Sequence, residues 1–301
     1  MPPISRFALF PLVVLLAFAT LAAAEPTTQP DSLDVYLPIV SSKGPLLMHL
    51  PGIGGVRMCD HRMLAGLHDG GAAGNFLICD WTENNTGIAA LQGYVHNRQQ
   101  AKQIADLIAA HAAADPASPI VLTAHSGGCG LAVWALEDLP PGVKVRELLL
   151  LAPALSPTYD LSAALRHVEG KAYVFSSTLD TVVLWTGTRL FGTIDGVQTA
   201  AAGFGGFIQP PHADAELYKK LVPCPYQQEW QRYNDFGEHI GAMSRPFARA
   251  ILAPLVVPAL DPTTRPSDEA DTSHADSSHA DSQRNQPLST PAKLDGAGSG
   301  G

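Results

Sequence analysis

From residue 32 onward the chain alternates short, wholly apolar runs with longer stretches in which apolar positions recur three and four residues apart. The short runs predict strands at residues 35–40, 46–50, 76–81, 120–124, 148–152 and 172–175. The longer stretches predict helices, each ended by a recognisable stop. One begins after the glycine-rich segment 51–55 and runs to about residue 68, before Gly70 and Gly71. A second covers 97–113, with Ile104, Leu107, Ile108 and His111 marking its apolar face. A third spans 127–139, a fourth of roughly ten residues lies between 152 and 172, and a last covers 242–255. Residues 41–44 read as a turn and 82–87 as a polar loop. Strands alternating with helices predict an α/β fold: a mostly parallel central sheet with helices on both faces. Right-handed crossovers then put the binding loops beyond the C-terminal ends of the strands.

Composition separates the two ends from this body. Residues 1–24 carry one basic residue, Arg6, then an apolar run closing on Ala22-Ala23-Ala24, the pattern of a secretory signal peptide. An uncleaved membrane anchor is the alternative, because the run approaches spanning length. Residues 25–31 form a polar, Pro-rich linker, and the folded domain is expected over 32–258. Residues 259–301 turn to Ser, Thr, Asp, Pro and Gly and repeat the pentapeptide Ser-His-Ala-Asp-Ser, a composition that predicts disorder. His274 and His279 stand beside aspartates in that tail, but nothing fixes them in a metal-binding geometry. No metal and no cofactor are expected.

With 28 acidic against 19 basic residues the net charge is −9, and no basic run or stripe interrupts it. Nucleic-acid binding is thereby disfavoured. Four cysteines, Cys59, Cys79, Cys129 and Cys224, fit no zinc spacing. In an exported chain they permit two disulfides in three pairings, although Cys129 also reads as a small buried apolar residue.

The strongest chemical signal lies where the strand at 120–124 runs into Ala124-His125-Ser126-Gly127-Gly128. A serine at so tight a strand-to-helix bend, with glycines after it, has its hydroxyl raised at the tip of the sheet. It needs a base. His239, between Gly237 and Gly241 and just before the last helix, is the leading candidate, with His212 in reserve. It also needs an acid to orient that imidazole. Asp180, shortly after the strand at 172–175, is favoured over Asp160, which reads as a helix cap; Asp180 itself has capping as its alternative role. Two backbone N–H groups, of Gly127 after the serine and of Ile53 in the loop 51–55, are placed to form an oxyanion hole. His125 is read as a packed residue without a catalytic part.

The order Ser126, Asp180, His239, together with the elbow, the loop Pro51-Gly52-Ile53 and the late Gly-x-His, resembles the α/β-hydrolase superfamily over about residues 35–255. The chain departs from the usual pattern at Ala124, where the elbow has Gly, and at Pro51, where the loop has His. The resemblance implies an exported serine hydrolase acting on carboxylic esters through an acyl-enzyme. Acyl transfer by the same residues, or a binding protein that keeps the fold without the chemistry, are the alternatives. A small-molecule or lipid ester is the expected partner, with room for transient contact with a membrane or cell envelope. Residues 152–172 leave no space for a large helical cap, so any cover must come from 181–235, which reads equally as a lid and as ordinary core with one remaining strand near 221–225.

Overall fold

A computed structural model of the chain describes residues 43–83 and 85–264. The predicted signal peptide, linker, first strand at 35–40 and the tail beyond residue 264 lie outside the described residues, while 259 and 260, placed in the tail, close the last helix. Among the described residues six strands form one sheet in the order β2-β1-β3-β4-β5-β6. They are β1 (Leu46–Leu50), β2 (Asn75–Ile78), β3 (Ile120–His125), β4 (Glu147–Leu151), β5 (Ala172–Ser176) and β6 (Leu221–Pro225), and every pairing is parallel.

The period-two alternation of each strand sorts its side chains between two cores. Leu46, Met48 and Leu50 of β1 face one side with Leu122, Leu148 and Val174, under the helices Tyr94–Ala114 and Gly128–Glu137. Leu47, Val121, Leu149 and Phe175 face the other, under Met58–Asp69 and the run from Arg245 to Leu260. Both faces are therefore covered. This is the α/β arrangement expected from the pattern, a parallel central sheet with helices on both faces, without a large cap between β4 and β5.

The connection between those two strands holds only the single turn Ser162–Leu165, shorter than the predicted helix. Three other boundaries also differ. β2 ends at Ile78, because Asp80 turns back to accept from the backbone and hydroxyl of Thr82. The long helix starts at Tyr94, and its buried face uses Ala101 and Ala105 while Leu107 faces solvent. The last helix starts only at Arg245, where Ser244 caps it and Pro246 fills its first turn, and it continues to Leu260.

The two disulfides permitted by the cysteine count are not formed: all four cysteines are free thiols. Burial pushes the thiols of Cys59 and Cys79 up to about 12, and that of Cys129 well above its ordinary value. None competes as a thiolate nucleophile at neutral pH.

The chain runs from β1 outward to β2, then crosses back to lay β3 on the other side of β1. The loops after β1 and β3 consequently diverge and open a crevice at their C-terminal ends. Pro51 to Gly55 and Ser126 stand at that crevice. Among the described residues no helix is long and apolar enough to cross a membrane.

Candidate active site

Ser126 follows β3 with φ +52°, a left-handed conformation rare for a residue with a side chain. Such a backbone costs of order 1–3 kcal/mol and persists only where its surroundings fix it. Here the Ser126 N–H donates to Leu151 O at 2.9 Å, while Ser126 O accepts from Ala154 N at 3.1 Å, so the end of β4 grips both sides of the bend. The glycines after the serine answer to close approach. A Cβ on Gly128 would lie 2.3 Å from Pro51 O and 2.5 Å from Leu50 O, inside the backbone of β1 and its loop. Ala124, in place of the usual glycine, is fully buried without distorting the strand.

Three polar side chains from distant parts of the chain meet here. His239 Nε2 is 2.9 Å from Ser126 Oγ, and His239 Nδ1 is 2.6 Å from Asp180 Oδ2. All three residues are under 8% exposed. With the carboxylate accepting from Nδ1–H, Nε2 is left as the acceptor for the serine hydroxyl. Asp180 performs both of the roles weighed for it. Its second oxygen accepts from Leu184 N at 3.3 Å and caps the π-helical turn Thr181–Gly187. The reserve pair lies elsewhere: His212 is exposed and sits 3.5 Å from Asp160, which accepts from Ser162 N as a cap.

The loop after β1 reaches the serine from the other side. A Cβ on Gly127 would come within 2.6 Å of Ile53 Cγ2, which sets Ile53 and Gly127 next to each other. Among the described residues neither of their backbone N–H groups is used in a hydrogen bond within the fold. Trp81, just past β2, holds this loop by donating its indole N–H to Pro51 O at 2.8 Å. That contact was not anticipated; the only signal for it was a tryptophan at the end of a strand.

Residues 181–220 form an inner wall and an outer rim. Val183, Leu184 and Ala201 are buried with Ala154, and Ile53, Phe191 and Phe204 pack against them. On the outside Val182 and Trp185 are exposed, as are Leu179, Phe236 and Ile240 on the loops that carry Asp180 and His239. The remainder of the segment 181–235 supplies β6 at the sheet edge and a 3-10 helix, Gln228–Tyr233.

Two further carboxyl groups lie near this machinery. Burial raises the Asp60 carboxyl, but a 2.9 Å hydrogen bond from buried His49 and the charge of that ring outweigh it and hold it below the usual range. Asp235, in the loop before His239, is pushed up to about 6 by burial and by the charge of Glu238. The folded state therefore retains a proton between about pH 4 and 6 that the unfolded chain has released, and stability falls as pH rises through that window. Asp235→Asn keeps an oxygen for the N–H of Gly237 but carries no charge. It is expected to stabilise the protein at pH 8 by about 1–2 kcal/mol and to leave it unchanged near pH 4, as read from thermal melts across pH. Among the described residues no group of three or more His, Cys, Asp or Glu side chains is arranged to hold a metal.

No protein-family model and no curated protein matches the sequence. Among solved structures the chain is similar to a lipase B of Aspergillus fumigatus, at 15% identity and a TM-score of 0.48. The alignment covers 80% of this chain, which spans 61% of the lipase. It is also similar to RedJ, in a structure with a PEG molecule bound in the active site, at 14% identity and a TM-score of 0.31, over 68% of this chain and 88% of that one. The fold assignment rests on the parallel strand order and on the elbow after β3.

Proposed function

We propose that the protein is an exported serine hydrolase that cleaves carboxylic esters. One observation carries this reading: a serine held at φ +52° whose hydroxyl meets His239, itself oriented by Asp180. In the reaction His239 takes the Ser126 proton as Oγ attacks the acyl carbonyl. The carbonyl oxygen becomes an oxyanion and accepts from the N–H groups of Ile53 and Gly127. Collapse of this intermediate expels the alcohol, protonated by His239, and leaves an acyl-enzyme. Water then attacks it with His239 as base, returning free Ser126 and the carboxylic acid.

The apolar wall formed by Ile53, Val183, Leu184, Phe191 and Phe204 favours an apolar acyl chain, and the exposed rim favours a small-molecule or lipid ester over a charged peptide. Export follows from the signal-like residues 1–24. The folded protein is expected to be labelled by a fluorophosphonate at Ser126 alone, and labelling is expected to abolish p-nitrophenyl ester hydrolysis. Across a panel of acyl lengths, kcat/KM is expected to rise from acetate to longer chains, roughly tenfold for each 1.4 kcal/mol of added apolar contact. Absence of labelling in folded protein would refute the enzymatic reading.

A further inference from the structure

His125 precedes the serine in sequence and is buried at the end of β3. Its surroundings say more. The ring is 5% exposed, and its Nε2 lies 3.0 Å from the backbone oxygen of His239. A carbonyl only accepts, so Nε2 carries the proton. The two imidazole rings stand 4.9 Å apart.

This contact is singular in the architecture of the base. Among the described residues, the other hydrogen bonds made by the backbone of residues 236–241 stay inside that loop and the turn after it. Phe236 N donates to Glu238, Gly237 N to Asp235 and Gly241 N to Glu238 O. Met243 N then donates to Ile240 O. Among the described residues the loop is thus internally stitched and tied to the sheet through its main chain at one point, His239 O. The tie comes from the last residue of β3, adjacent to the nucleophile.

His125 also lies under the loop carrying Ile53. A Cβ on Gly52 would be 3.1 Å from His125 Nδ1 and 3.2 Å from Ser126 Cβ, so glycine at 52 lets the ring and the serine sit directly beneath the loop backbone. Burial, together with the charge of neighbouring His239, brings the pKa of His125 down to about 4. Asp60 and His49 are the other titratable groups acting on it, with opposite signs. The ring is therefore neutral at working pH and keeps its single N–H on the carbonyl when His239 takes up a proton.

We propose that His125 is a positioning residue: its Nε2–H fixes the main chain of His239 and so the reach of that imidazole to Ser126 Oγ. The inference rests on the hydrolase reading for its kinetic part only. A base displaced by about 1 Å costs on the order of 10²-fold in rate while binding is little affected. His125→Asn is too short to reach the carbonyl, His125→Phe has no donor, and His125→Gln presents an N–H near the position of Nε2.

The experiment compares these three with the parent protein by ester kinetics and by the downfield proton resonance of His239 Nδ1–H against Asp180. Expected is a fall in kcat of about 10- to 100-fold for the Asn and Phe variants at near-constant KM. Their Nδ1–H resonance should be broadened by exchange, and most of both signals should return in His125→Gln. An unchanged kcat and a sharp resonance in folded His125→Asn would overturn the proposal, as would a Gln variant no better than Asn. If the parent hydrolyses no ester, the functional reading falls, while the resonance still decides the role of His125.

Discussion

Ser126→Ala is expected to lower ester hydrolysis by about 10⁴-fold or more, and His239→Ala to do nearly the same, because the two act as one unit. Removing either should leave the other with little to do, so the double variant is expected to be scarcely worse than the singles. Only the small residual catalysis of the oxyanion hole and of binding would remain. The melting temperature should change little, since Ser126→Ala removes one hydrogen bond with a net worth of about 1 kcal/mol. A companion variant separates chemistry from strain. Ser126 holds φ +52°, a conformation that alanine keeps at the same cost and glycine adopts freely. Ser126→Gly should therefore be as inactive as Ser126→Ala yet more stable than it, by about 1 kcal/mol. Retained hydrolysis in Ser126→Ala, or equal stability of the two variants, would contradict this account of the elbow.

Ser126 and Asp180 were legible in the sequence because each closely follows a strand end, and a parallel sheet sends such ends to one edge; His239 was legible from its flanking glycines ahead of the last helix. Short apolar runs alone located β1, β3, β4 and β5, since strands buried on both faces read as unbroken apolar stretches. What escaped notice were contacts between loops. Nothing in the sequence around Trp81 or Pro51 points to the indole N–H meeting that carbonyl, which is set by where two neighbouring strands stop. The same holds for His125, whose partner is a backbone atom 114 residues away and leaves no side-chain signature. Asp180 looked like a choice between orienting a base and capping a helix, yet a carboxylate has two oxygens and does both. Leu107 was misplaced because alanines at 101 and 105 let the helix lie close to its neighbour and turn the leucine outward.

The segment 181–235 illustrates why its two readings were hard to separate. It contributes core through Leu184 and Ala202, a wall through Val183 and Phe204, and exposed apolar surface through Val182 and Trp185. A single π-helical turn, Thr181–Gly187, carries both buried and exposed apolar side chains within a few residues. Its start is tied to the machinery by the Asp180 cap, so displacing this wall also disturbs the carboxylate that orients His239.

That coupling makes Asp180→Asn the most discriminating substitution after the serine. The variant keeps an oxygen for Leu184 N, so the turn Thr181–Gly187 should hold and the melting temperature should stay within a few degrees of the parent. At His239 the consequence is different. An amide N–H now faces Nδ1, which accepts it and drives the ring proton to Nε2. Nε2–H points at Ser126 Oγ and has no lone pair for its proton, so the serine loses its base although every heavy atom remains in place. A fall in kcat of about 10⁴-fold is expected, the size seen when the equivalent exchange is made in a serine protease triad. Asp180→Ala should lose as much activity and also destabilise the fold by about 1 kcal/mol, because it removes the cap as well. Asp160→Asn is the control. Asp160 caps Ser162 and faces exposed His212, so its loss should leave kcat unchanged. Full activity in Asp180→Asn together with a large loss in Asp160→Asn would mean that the acid had been assigned to the wrong strand end.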